Sequence, residues 1–164
     1  MANAFVRTNA FVRTRDDYAA LAMRLFLGVV FFAHGAQKVL GWFGGHGARA
    51  TIQGFSKMGL PPAVTVLVMA AEFGGAILLF LGFLTRLAAI GIGCLMVAAV
   101  LMVHSKVGFF MNWTGAQKGE GFEYHLLAIA IAVALLIIGG GAFSVDRALS
   151  RDGGRAVEPA MPRM

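Results

Sequence analysis

One carboxylate, Glu72, lies in the apolar run AVTVLVMAAEFGGAILLFLGFL over residues 63–84, and no other charged residue shares that run. An ionised carboxylate near a bilayer midplane costs roughly 2.5–3.5 kcal/mol on insertion scales. It must face protein or water, and it needs a cation, a proton or a ligand. Proton exchange and ligand binding are therefore the chemistries to look for. His34 and Lys38 belong to another apolar segment and, at i and i+4, share one helix face. Imidazole and carboxylate exchange protons readily, and an ammonium supplies positive charge to an anion. His104, Glu123 and His125 sit near the ends of two further segments as a second polar set. At consecutive odd positions on a helix, Glu123 and His125 point to different faces. Arg24 and Arg86 complete the candidates; Arg24 lies early in its segment, from where a long side chain can snorkel to the surface.

The elements that carry these groups follow from composition. Hydrophobic residues make up 59% of the 164-residue chain and charged residues 13%. Soluble domains run at about 45–50% and 25%, so the chain reads as an integral membrane protein. Mean hydropathy of +0.76 agrees. A span needs about 20 mostly apolar residues. The pattern predicts an all-α, four-helix membrane bundle over residues 18–148, with spans at about 18–43, 62–84, 87–105 and 124–141. Residues 1–17 and 149–164 are expected to be flexible tails. Within the first tail, Asn-Ala-Phe-Val-Arg-Thr occurs at 3–8 and again at 9–14. In the first loop, Ala48 to Met58 is expected to form a short interfacial helix ended by Gly59, with Pro61-Pro62 opening the next span.

Basic residues set the orientation. Arg7, Arg13, Arg15, Arg86, Arg147, Arg151, Arg155 and Arg163 fall on one side of a four-span arrangement. Arg49, Lys57, Lys106 and Lys118 fall on the other. Both termini are therefore expected to be cytoplasmic, with two long loops facing outward. The net charge of +6 reflects this asymmetry rather than a nucleic-acid footprint. At 1.5 Å per residue, His34 lies roughly 12 Å below the outer edge and Glu72 roughly 15 Å below it. Either a Glu72–His34 or a Glu72–Lys38 pair suits those depths. Gly28, Gly35, Gly74 and Gly75 would let helices approach closely around the acid.

The lone cysteine, Cys94, cannot form an intramolecular disulfide or a CxxC pair. No HxxxH or HExxH spacing supports a metal site, and no metal is assigned. The chain carries no haem, flavin or iron–sulfur motif, so redox chemistry would depend on a bound cofactor or a partner.

His34-Gly35-Ala36-Gln37-Lys38, followed by Gly41-Trp42-Phe43-Gly44-Gly45-His46-Gly47, resembles the first-span signature of the DoxX family. Gly59-Leu60-Pro61-Pro62, Glu72-Phe73-Gly74-Gly75, the Leu81 to Ala89 stretch LGFLTRLAA, His104 and Phe143-Ser144-Val145-Asp146 extend the resemblance over about residues 20–148. The resemblance implies a multi-pass protein of the bacterial or archaeal inner membrane. It implies a redox-linked subunit, since some members belong to a thiosulfate:quinone oxidoreductase and others scaffold detoxifying enzymes. His34, Lys38, Glu72, Arg86 and His104 are the motif positions it carries over. A quinone or a small sulfur oxyanion is the implied ligand. Expected partners are the lipid bilayer, oxidoreductase or respiratory subunits, and a second copy of the chain. A scaffold or assembly subunit is the alternative. A small transporter is a third reading, but it needs a polar route below Glu72, where Phe73 to Leu84 carries no charge.

Overall fold

The computed structural model describes residues 12–155, with side chains to residue 150. Most of the duplicated hexapeptide lies outside the described residues. All regular structure within them is helical.

Helix α1 (Tyr18–Val39) starts at Asp17, whose Oδ1 accepts the Ala20 N–H at 3.0 Å. It ends before Phe43 because Gly41 (φ +75°) and Phe43 (φ +52°) turn the chain over. Helix α2 (Gly47–Lys57) occupies the first loop, buries none of its residues, and is followed by Gly59 at φ +88°. Helix α3 (Pro62–Leu81) opens on Pro62, whose missing N–H costs nothing in a first turn. It widens to a π turn over Ala70–Gly74. After the tight turn at Gly82 to Leu84, α4 (Thr85–Met102) runs on into a 3₁₀ turn, His104–Lys106. Helix α5 (Glu123–Ile138) follows the second loop, and α6 (Val145–Arg155) closes the described chain.

Helices α1 and α3, and α4 with its 3₁₀ turn, are long and apolar enough to cross a membrane. At 16 residues α5 is shorter, about 24 Å long. It stops at Ile138 rather than 141 because Gly139 takes φ +88°. There the Arg86 guanidinium donates to the Leu136 and Ile137 carbonyls at 2.9 and 3.1 Å, filling two of the helix's last acceptors.

The core is made of small and branched residues: Ala20, Ala76, Ala88, Ala89, Ala128 and Ala132 around Leu27, Phe31, Leu79, Ile92, Met96 and Leu135. Alanines at contacts bring backbones close, which is how helices associate where lipid removes the hydrophobic drive. Large apolar side chains point outward instead. Leu67, Leu127 and Ile137 are 68, 67 and 72% exposed. Hydrocarbon, not water, suits that surface.

The described part of the first expected tail makes contacts with the bundle. Val12 is buried, Thr14 Oγ1 accepts the Gly141 N–H, and Asp16 pairs with Arg147. Helix α6 continues to Arg155, beyond the expected tail start at 149, with Ser144 Oγ accepting the Arg147 N–H at its first turn.

Candidate functional site

Glu72 reaches its position through two local features. The first is the π turn, which takes one residue more than an α turn. It lets Glu72 face α1 while the α-helical stretches on both sides keep their own packing. The second is Gly35. A Cβ there would lie 2.6 Å from the Phe73 backbone, so only glycine allows α1 to cross the π turn this closely. Lys38, three residues further along α1, then stands over the acid.

Lys38 Nζ is 2.7 Å from Glu72 Oε2. The ammonium does not line up as a hydrogen bond, and Oε2 has no other partner. An ammonium rotates its three N–H groups freely, so at this distance the two groups form an ion pair. Of the two pairings open to the sequence, Lys38 is the one formed. The pair is unequal: the Glu72 side chain is 7% exposed and that of Lys38 22%.

The pair lines a cavity of about 530 Å³ between α1, α3, α4 and α5, with Phe55, Met58 and Leu60 of the first loop also on its wall. His34, exposed, and His125, buried, line it too. His104 stacks at 4.1 Å between ring centroids against His125, and its Nδ1 is 2.8 Å from the Glu120 carbonyl. Tyr124, adjacent to His125, is a lining residue that sequence reasoning missed. Its hydroxyl has no hydrogen-bond partner; nor has His125 Nδ1. Mostly apolar walls with a few convergent polar groups are the usual make-up of a small-molecule site. Among the described residues, no three His, Cys, Asp or Glu side chains converge as metal ligands.

Three candidates lie elsewhere. Glu123 turns away from His125, and its Oε1 accepts the Met111 N–H at 2.9 Å and the Trp113 Nε1–H at 3.2 Å. It orders the second loop together with Glu120, which accepts the Asn112 N–H at 2.8 Å. Arg86 caps α5 at the far end of the bundle. Arg24 does not snorkel, contrary to expectation: it is 1% exposed. Its Nη1 donates to the Leu79 and Phe80 carbonyls, and its Nη2 to those of Ala142 and Phe143, at 2.7–3.0 Å. Four fixed carbonyl acceptors replace water for the charge. Beside this cluster, the buried Asp146 accepts the Leu84 and Thr85 N–H groups at 2.8 and 2.9 Å and so caps α4. That gives Phe143-Ser144-Val145-Asp146 a structural task. An acid just past the last apolar run was the signal available for it.

The DoxX family model matches residues 19–105. A Bacillus subtilis (strain 168) protein named "Putative oxidoreductase CatD" is 31% identical over 119 residues, covering 73% of this chain and 79% of that protein. The Escherichia coli (strain K12) "Inner membrane protein YqjF" is 29% identical over 136 residues, covering 83% of this chain and 95% of that protein. No solved structure matches the chain significantly.

Proposed function

The chain belongs to the DoxX family, and from that premise we propose that it is a membrane subunit of a redox-linked system whose cavity around Glu72 binds a quinone headgroup or a small sulfur oxyanion. The observation that carries the reading is the cavity of about 530 Å³, in which the Lys38–Glu72 pair, His34, His104 and His125 meet. The word oxidoreductase in the name of the B. subtilis relative supports the redox part. Electrons would come from a partner oxidoreductase or a bound cofactor. This chain's own task is to hold the ligand and to carry protons at the Glu72 carboxylate or the His34 imidazole. In this reading α1, α3, α4 and α5 all span the inner membrane. Residues 139–142 complete the fourth crossing, both termini are cytoplasmic, and residues 40–61 and 103–122 face outward. The arginine distribution supports that orientation.

A titration of purified protein with a quinone and with thiosulfate, wild type against Glu72→Gln, tests it. Binding that weakens in the variant is expected. No binding of either probe to wild type would overturn the reading.

The closeness of the Lys38–Glu72 contact favours a second reading, in which the pair only holds α1 and α3 in register and the chain scaffolds or assembles an oxidoreductase. A mild-detergent pull-down should then recover the partner with wild type and lose it with Glu72→Gln. Recovery of no oxidoreductase or respiratory subunit would count against it.

A further inference from the structure

On its α3–α4 side the cavity shares its wall with a second hollow. Val64, Val68, Leu95 and Ala98 line the cavity and also line an apolar groove running between α3 and α4. The groove exists because side chains are missing. A Cβ on Gly74 would meet nothing within 4 Å, and one on Gly91 would meet only the Ala71 methyl at 3.7 Å. Leu67, on the rim of the groove, is 68% exposed toward the surface that hydrocarbon covers. The groove therefore runs from the wall of the polar chamber to the lipid-facing surface.

The chamber end carries polar atoms that await a partner. His125 Nδ1 is without a hydrogen bond although the residue is only 6% exposed, and the Tyr124 hydroxyl is likewise unfilled. Leaving buried donors and acceptors unmade is costly, so a polar group is the natural occupant. The charges at this end already cancel, since Lys38 is held 2.7 Å from Glu72. A soluble oxyanion would have to break that pair to use Lys38. A neutral head with oxygen acceptors and donors would not.

We propose that the site takes a lipid with a neutral polar head, its head among Tyr124, His125 and Glu72 and its hydrocarbon tail leaving sideways along the α3–α4 groove. The inference rests on the ligand-binding reading above and chooses, within it, a membrane-borne ligand over a water-soluble one.

The test uses full-length protein in lipid nanodiscs and two probes with one ring: a decyl-tailed benzoquinone and the same quinone with a methyl group in place of the tail. Uptake by empty nanodiscs is subtracted, and thiosulfate is titrated separately. Gly91→Leu, which fills the groove from α4 and does not line the cavity, should weaken the tailed probe by about tenfold, as expected when a buried chain loses its contacts, and leave the short probe within about twofold. Leu67→Trp, on the exposed rim of the groove and not on the cavity wall, repeats the block. Tyr124→Phe should weaken both probes about threefold to tenfold, the range for one lost hydrogen bond. If groove-filling leaves the tailed probe unchanged, ordinary acyl chains fill the groove and the inference falls. Equal weakening of both probes by Leu67→Trp also overturns it. Thiosulfate binding with no tail dependence of the quinones would overturn the inference and keep the broader reading. Binding of none of the three would end both.

Discussion

At the scale of single residues, the Lys38–Glu72 pair is asymmetric, and its two halves should respond differently to mutation. Lys38 is partly exposed and can turn toward water once its partner is neutral. Glu72 is held in the π turn and cannot. Lys38→Met leaves an uncompensated buried carboxylate and should cost up to about 3 kcal/mol. Glu72→Gln should cost about 1 kcal/mol or less, and the double variant should recover most of the loss of Lys38→Met. Thermal unfolding in one detergent, run as a double-mutant cycle, measures all three. Equal losses in the two single variants would mean that Lys38 is as trapped as Glu72. Asp146 carries a separate prediction. Removing its two hydrogen bonds to the start of α4 with Asp146→Ala should cost about 2 kcal/mol in the same assay. Ligand affinity should stay unchanged, because the cap is at the far end of the bundle.

At the scale of elements, the site depends on how closely α1 crosses α3. Two glycines on α1 allow a contrast. Gly35 faces the Phe73 backbone, where an added Cβ would come to 2.6 Å, and backbone cannot yield without moving the helix. Gly28 faces the edge of the Phe80 ring at 3.1 Å, and a ring can swing. Gly35→Ala should therefore destabilise by about 1–3 kcal/mol and weaken ligand binding by separating Lys38 from Glu72. Gly28→Ala should cost less and leave binding intact. Similar losses from both would show that α1 approaches α3 uniformly, with no special contact at the π turn. The turn itself left no trace in the residue pattern. Its sequence, Ala-Ala-Glu-Phe-Gly, reads as an ordinary stretch of apolar helix around one acid. The widening arises where two helices compete for the same space.

At the scale of the whole molecule, the exposed leucines and isoleucines, the alanine core and the arginine-rich end all suit a bundle standing in a bilayer. Its orientation can be checked by cysteine labelling. With Cys94→Ala as background, Ser56→Cys and Ala116→Cys should react with an impermeant maleimide added to intact cells. Ser150→Cys should react only after the membrane is opened. The reverse pattern would invert the proposed topology and place the cavity on the cytoplasmic half.

The amino-acid sequence by itself determined the membrane class, the three long apolar helices, and the short helix before Gly59. These follow from local composition and from the backbone preferences of glycine and proline. It also singled out Glu72, His34 and Lys38, because an ionisable group in an apolar run is visible without any neighbour. Only the tertiary structure chose Lys38 over His34 as the partner of Glu72. It also moved Arg24 from the surface to a buried clamp and brought Tyr124 into the cavity wall. The physical reason is common to all three. A side chain's direction depends on helix crossing and on a local change in helical period, and its partners are set by carbonyls and ring atoms far along the chain. Arg24 meets the Ala142 carbonyl across 118 positions, a distance over which no local pattern carries information.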